Sequence, residues 1–572
     1  MKRIVFGTPE SITPVLFCKN FTYIETKINY HTDQIKFRCS ARGCSLTLPL
    51  GAKEQIYGLG LQLKAFALRG KKLTLRPNAD PVAATGDSHA PVPFFVSTAG
   101  YGIYVDTARQ AEFYFGSSDL KGADGGIREA EDIAVSTEDL YAFRDLGSSN
   151  ISIFIPAAQG VTLYVMEGRT ITDIVAQYNM LSGGGCAVPE WGLSAVYRCY
   201  SRYSQEQVLR TAKRLRERGL AVGCIGLEPG WQSKAYPCSY VWNKELYPNP
   251  DSMLASLRRL GFHVNLWEHG FVHPDSPIYK ELYPLMGNYT VWGGGVPDFS
   301  VKEARRIFAA YHKKLVAMGV DGFKLDECDG SDYTGSWSFP NMADFPSGMD
   351  GEQYHALFGV LYMQTILEAL DGKPAFSEVR NAGALCAPYP FVLYSDLYDY
   401  TDFIRGCVTA GFSGLLWTPE VRDAASKEEF LKRLQIGVFS PQCLLNAWYC
   451  KEFPWETLHC EAETKALLAL RETVKPLLMR AFEGYRRTGI PPVRALVSDY
   501  TDDIETYQLD DEYLFCDNLL VAPMPVGASS RRVYLPDGQW RDFYTKERIQ
   551  SGWFSVETDL IPVYEKADGF GR

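Results

Sequence analysis

The sequence predicts an α/β protein, a (β/α)₈ TIM barrel with an antiparallel β-sandwich before it and a small β-domain after it. Three observations predict this. From about residue 188 to 490, short apolar runs alternate with long amphipathic segments, as strands and helices do in a parallel barrel. On either side the texture changes to short alternating runs broken by Gly, Pro and Asn. Two of the central apolar runs stop abruptly at a carboxylate, Asp326 and Asp396. Such a barrel keeps its chemistry at the C-terminal ends of its strands.

The first region, residues 1–187, holds runs such as Tyr101-Gly102-Ile103-Tyr104-Val105-Asp106 and Ile151-Ser152-Ile153-Phe154-Ile155-Pro156, typical of a sandwich. Gly183-Gly184-Gly185 and Pro189 mark its exit. In the second region, residues 188–490, eight strands are expected at 193–197, 221–227, 263–267, 320–326, 375–377, 391–394, 413–417 and 443–446. Helices are expected at 205–218, 251–260 and 302–318. The first of these places Val208, Ala212 and Leu215 on one face. A long helix at 463–485 closes the region. The third region, residues 491–572, returns to strand texture in Asn518-Leu519-Leu520-Val521-Ala522-Pro523 and Arg532-Val533-Tyr534-Leu535-Pro536.

Composition narrows the function. The 572 residues exceed what one core accommodates. Net charge is −10 with no basic run, which argues against a nucleic-acid partner. No apolar run is long enough to span a membrane, and the start of the chain lacks the apolar stretch and cleavage site of a secretory signal. The 14 cysteines are scattered. Cys39 and Cys44 are close, but no second pair completes a zinc site, so reduced thiols in a cytoplasmic protein are expected. His269 and His273 follow a strand rather than sharing a helix face, so no metal is expected, and no Gly-rich phosphate loop points to a cofactor. The 34 Tyr and 11 Trp suit a large core and also suit sugar faces, on which flat rings stack.

The chain resembles glycoside hydrolase family 31, the retaining α-glycosidases, over nearly its whole length. Tyr57-Gly58-Leu59-Gly60 and Pro93-Phe94-Phe95-Val96-Ser97-Thr98 resemble the family's N-terminal sandwich. Trp242-Asn243-Lys244-Glu245-Leu246-Tyr247-Pro248 resembles its segment before barrel strand three. Asp502-Asp503-Ile504-Glu505-Thr506-Tyr507 resembles its C-terminal sandwich. Phe323-Lys324-Leu325-Asp326 matches the family's Phe-Lys-x-Asp, which makes Asp326 the nucleophile. Arg380 fits the family's strand-five Arg. The catalytic Asp sixteen positions after that Arg falls on Asp396, the general acid/base, with Asp399 and Asp402 as rivals on the same segment.

The resemblance also implies substrate contacts. Glu228 takes the place of an Asp that grips the terminal sugar. Trp267 and Trp417 stand at aromatic positions lining the pocket, and Glu420 lies near a strand-seven Asp. Lys324 is placed to keep Asp326 ionised, and Arg380 to clamp hydroxyls. Asn78 and Asp80 lie on a sandwich loop that can reach the barrel mouth. After strand eight the family's Arg and His are absent; Asn446 falls near the His position, with Trp448 behind it. The implied activity is an exo-acting α-glycoside hydrolase. It would cleave a terminal hexose, α-galactoside or α-glucoside, from a small or oligosaccharide substrate. An α-xylosidase, a transglycosylase and a non-catalytic carbohydrate-binding protein remain as alternatives, and self-association is left open.

Overall fold

The computed structural model describes residues 1–79, 81–117, 150–331 and 337–567. Its first part is a sandwich of two five-stranded antiparallel sheets. One runs in the order Lys2–Thr8, Gln159–Glu167, Tyr101–Asp106, Pro91–Ser97, Ile56–Gly60. The other runs Lys36–Ser40, Gly43–Pro49, Asn150–Pro156, Glu112–Phe115, Lys72–Thr74. Strict alternation builds the core. Ile151, Ile153 and Ile155 point inward opposite Leu48, Leu46 and Cys44, and all six are buried.

Eight parallel strands form the barrel: Ala195–Arg198, Val222–Leu227, His263–His269, Gly322–Asp326, Ser377–Val379, Phe391–Leu393, Glu420–Val421 and Leu444–Asn446. Each of the first five pairs with the next, and strand eight joins strands one and seven. The ring closes between strands six and seven. There Leu393 N–H donates to Leu416 O at 2.8 Å and Thr418 N–H donates to Leu393 O at 2.9 Å.

Two strands differ from expectation. Strand five begins at Ser377, where 375–377 was expected, because its inward positions are polar and do not read as an apolar run. Strand seven begins later as well. Ala410–Ser413 is a 3₁₀ turn ended by Gly414 in the left-handed region, φ +67°, and the chain straightens only at Leu416. The helices sit close to their expected places, at Gln205–Glu217, Pro250–Arg259 and Lys302–Met318. Ser204 and Gln207 form a capping box that starts the first, and Gly319 stops the third. A helix at Gly351–Leu370, not anticipated from the sequence, fills the space outside strand four.

The 28-residue helix Glu461–Thr488 closes the N-terminal end of the barrel. Its Arg471 is fully buried and donates to four carbonyls, those of Leu193, Val438, Ser440 and Pro441, at 2.6–2.9 Å. Beyond it lies a six-stranded sheet with a separate strand pair, Ser530–Leu535 and Gly552–Glu557.

Arg471→Met would leave those four buried carbonyls without their donor. It is expected to lower the melting temperature by about 5 °C or more. Arg210→Met, at an exposed helix position, should shift it by about 1 °C at most.

Candidate active site

The C-terminal end of the barrel gathers an ion cluster built on strand alternation. On strand four, Lys324 and Asp326 point into the barrel and Leu325 points out. Trp267, register partner of Lys324 on strand three, points in beside them. Its indole N–H donates to Asp326 Oδ2 at 2.6 Å, and the backbone N–H of Glu327 donates to Oδ1 at 2.9 Å. The Asp326 side chain is 10% exposed, at the floor of the opening.

Arg380, following strand five, is the central cation. Its Nη1 donates to Asp396 Oδ2 at 2.5 Å and lies 3.7 Å from Asp326 Oδ1, while its Nε donates to Asp329 Oδ2 at 3.0 Å. Asp326 and Asp396 therefore flank one nitrogen. Their nearest oxygens are no farther apart than those two distances laid end to end, a range that includes the 5–5.5 Å typical of retaining enzymes. The Asp396 side chain is 51% exposed at the rim. Partial loss of water within the opening would raise its carboxyl; Arg380, Lys324 and Arg422 outweigh that and hold it down at about 2.

A second layer lies beneath. Arg198, ending strand one, donates to Glu228 through Nε and to Asn265 Oδ1 at 2.8 Å, and lies 3.4 Å from Glu378. Lys324 Nζ is 3.3 Å from Glu228 and 3.9 Å from Asp326. Lys324 and Arg380 both stand over the Tyr394 ring, at 4.7 and 5.4 Å.

Several residues sit otherwise than expected. Glu228 presents no free carboxylate to the opening: one methylene longer than the Asp that the resemblance implies there, it meets Arg198 and Lys324 and is buried with them. Lys324 is correspondingly nearer Glu228 than Asp326. Trp417 is turned out of the barrel. Paired with outward-facing Leu393, it packs on Gly406 and donates to Phe403 O at 3.2 Å. Glu420 and Asn446 are also fully buried. Asn446 Nδ2 donates to Glu420 Oε2 at 2.6 Å, and Arg422 donates to Oε1 at 3.1 Å. Burial and the charge of Asp396 push the Glu420 carboxyl up to about 7.

Asp399 and Asp402 are engaged elsewhere. Asp399 caps the helix Tyr400–Thr409, and Asp402 pairs with Lys64. Asn78 donates to Asp87 within its own loop at 3.1 Å; Asp80 lies outside the described residues. Trp448 is exposed beside Tyr449. His269 is buried, which drives its imidazole down to about 3, and it bonds Ala235 O at 2.9 Å. His273 Nδ1 accepts from Asp275 N–H at 2.9 Å. Among the described residues no group of three or more His, Cys, Asp or Glu is placed to hold a metal.

Sequence reasoning missed Arg198, Asp329, His89 and Glu327. The strand end at Arg198 and the acidic run after Asp326 were visible signals; His89, distant in the chain, offered none. Glu327 adopts the left-handed region at φ +54°, unusual for a side chain of its size, and accepts from the Tyr236 hydroxyl at 3.2 Å. Tyr236 also contacts Trp267 and Trp292, forming an aromatic wall at the opening. Burial and the adjacent Asp326 push the Glu327 carboxyl up to about 9, so it is a neutral acid at pH 7.

Comparison with known proteins agrees with this architecture. Residues 186–481 match the glycosyl hydrolases family 31 TIM-barrel domain, and residues 489–569 match that family's C-terminal domain. Residues 11–113 match the glycosyl hydrolase 31 N-terminal galactose mutarotase-like domain. The chain is 23% identical to the alpha-xylosidase XylQ of Lactiplantibacillus pentosus, over 90% of this chain and 65% of that protein. It is 24% identical to alpha-glucosidase 2 of Bacillus thermoamyloliquefaciens, over 90% of this chain and 66% of that protein. The chain thus spans just under two thirds of the length of these curated relatives. A Flavobacterium johnsoniae dextranase complexed with glucose superimposes with a TM-score of 0.79 at 23% identity, covering 93% of this chain and 67% of that one.

The protonated Glu327 gives a pH prediction. The unfolded chain releases that proton above about pH 4.5, whereas the folded protein keeps it to about 9, so this group's contribution to stability declines as pH rises across that window. Glu327→Gln is therefore expected to gain melting temperature relative to the parent from pH 5 to pH 9. A constant difference between the two melting curves would show that Glu327 is ionised in the fold.

Proposed function

The chain belongs to glycosyl hydrolase family 31, and we propose that it is a retaining, exo-acting α-glycosidase that removes a terminal non-reducing α-linked sugar by double displacement. The observation that carries this reading is the Arg380 guanidinium held between Asp326 and Asp396 at the C-terminal end of the barrel. Asp326, fixed by Trp267, is the nucleophile; Asp396, at the rim, is the acid/base.

In the first step an Asp326 oxygen bonds to the anomeric carbon as the glycosidic C–O bond breaks, and Asp396 gives its proton to the departing oxygen. In the second, Asp396 takes a proton from water, the water oxygen bonds to the anomeric carbon, and the ester to Asp326 breaks. The resting contact with Arg380 keeps Asp396 ionised, so the acid must be freed before it can donate. A sugar hydroxyl that accepts from Arg380 Nη1 would do this, turning the clamp toward substrate and letting the Asp396 carboxyl rise toward its working range.

The bound sugar is neutral on this reading. Arg198, Lys324, Arg380 and Arg422 each face a carboxylate already, so an anionic sugar would find no free cation among them. A hexose, α-galactoside or α-glucoside, is the leading substrate. An α-xyloside is the second reading, favoured by the 23% identity to an alpha-xylosidase along 90% of the chain. Transfer to a sugar acceptor would use the same intermediate. A reducing, cytoplasmic setting fits the 14 free thiols, for Cys39 and Cys44 face each other across a hairpin without a bond. No described helix is long and apolar enough to cross a membrane. The three regions, 1–187, 188–490 and 491–572, are proposed as the domains.

Asp326→Ala is expected to lose nearly all turnover. Asp396→Ala should lose kcat/KM far more on alkyl or sugar leaving groups than on activated aryl glycosides, by about a hundredfold or more. A panel of aryl α-glycosides identifies the sugar. Time-resolved NMR of the first product should show the α-anomer; a β-anomer at first appearance would exclude double displacement.

A further inference from the structure

A carboxylate, an imidazole and a hydroxyl stand in line beneath the rim. His89 comes from the N-terminal sandwich, just after a short strand pair, Arg76–Pro77 with Asp87–Ser88, that extends toward the barrel. Its Nδ1 lies 2.6 Å from Asp329 Oδ2, and its Nε2 lies 2.7 Å from Ser395 Oγ. All three residues are exposed by 1% or less. A neutral imidazole satisfies both contacts, Nδ1–H donating to the carboxylate and Nε2 accepting the serine O–H. The connectivity is that of a nucleophilic Ser-His-Asp triad. Yet Ser395 is sealed from solvent, and its Oγ also accepts the Leu397 N–H at 3.0 Å. Nothing can reach it, so it acts as a strut.

What the strut holds is the Asp396 segment. Ser395 precedes Asp396 and Leu397 follows it, and both are tied to the one hydroxyl that His89 orients. The strand ladder ends at Leu393, and no backbone amide of residues 395–399 donates to a backbone carbonyl of a described residue. Side chains must therefore place this stretch. Asp329 links the arrangement to the other side of the site, since the same Oδ2 that meets His89 accepts from Arg380 Nε at 3.0 Å. His89 is fixed in turn by its own carbonyl, which accepts from Asn381 Nδ2 at 2.6 Å.

We propose that His89 is a positioning residue for the proton donor. Through Ser395 and Asp329 it sets where the Asp396 carboxyl stands relative to Asp326 and Arg380, and so makes the N-terminal sandwich a working part of the catalytic centre. This rests on Asp396 as acid/base. A displaced acid protonates the departing oxygen poorly, which matters only where the leaving group needs a proton.

The test compares the full-length parent, His89→Gln, Ser395→Ala and Asp396→Ala on two α-glycosides of one sugar, an activated aryl glycoside and an alkyl glycoside. His89→Gln and Ser395→Ala are expected to lower kcat/KM about tenfold to a hundredfold on the alkyl glycoside and less than about threefold on the aryl one. That is part of the hundred- to ten-thousandfold a placed acid contributes. Thermal melting reports folding separately, and Ser395→Ala, which removes one oxygen, carries the test if His89→Gln does not fold. Equal losses on both substrates, or no loss in folded protein, overturn the proposal while Asp396→Ala still discriminates between them. If Asp396→Ala does not discriminate, the acid/base assignment itself fails and the positioning role falls with it.

Discussion

One buried guanidinium governs this site. Arg380 meets Asp329 and Asp396 directly and lies within 3.7 Å of Asp326. Three carboxylates so close would repel one another and take up protons; the cation holds down the carboxyls of buried Asp329 and of Asp396 at the rim. Burying such a group without partners costs several kcal/mol, and breaking a buried pair by removing one partner costs about 3–5 kcal/mol. Arg380 is therefore tolerated only because the ends of strands four, five and six converge on it. The same convergence brings the two candidate catalytic carboxylates together.

The ion pairs beneath extend that logic down the barrel. Arg198 with Glu228, Asn265 and Glu378 fills space that branched apolar side chains usually fill in such a barrel. This polar interior forms a rigid floor for Asp326 and leaves little freedom for the residues above it. It also consumes Glu228. The carboxylate expected to grip a sugar meets Arg198 and Lys324 instead, so on the proposed function Arg380, Trp267 and the residues at the rim are left to meet the sugar.

Much of the architecture was legible in the sequence. The helix Lys302–Met318 was readable to its ends because a clear apolar stripe runs into Gly319. The helix Gly351–Leu370 was not, since it is buried on almost every side and shows no stripe. Strand five was misplaced by two residues because its inward Glu378 is polar, and apolar runs mark strands only where the face is apolar. Trp417 was read as a pocket residue from its position, but its phase on strand seven depends on the turn ended by Gly414, which periodicity does not reveal. Asp326, Asp396, Arg380 and Trp267 were each readable from local pattern and family resemblance, and the structure brings these four into contact. Arg198 and His89 act over long separations in the chain, and no local pattern encodes such pairings.

The proton arrangement adds a constraint on how the site can work. The carboxyl pushed up beside Asp326 is that of Glu327, while that of the acid/base candidate Asp396 is held down. Glu327 follows Asp326 directly and turns toward Tyr236 on the strand-two side, whereas Asp396 arrives from strand six across Arg380. Only the latter shares Arg380 Nη1 with Asp326, so on the proposed roles the proton on Glu327 does not substitute for one on Asp396. Under the proposed mechanism, substrate binding does electrostatic as well as steric work, by diverting Arg380 to a hydroxyl and lifting the Asp396 carboxyl. A ligand without a hydroxyl within reach of Arg380 Nη1 would leave the acid ionised. On the proposed function, the Arg380–Asp396 contact makes proton delivery conditional on the right sugar being in place, a form of specificity expressed in turnover rather than in binding alone.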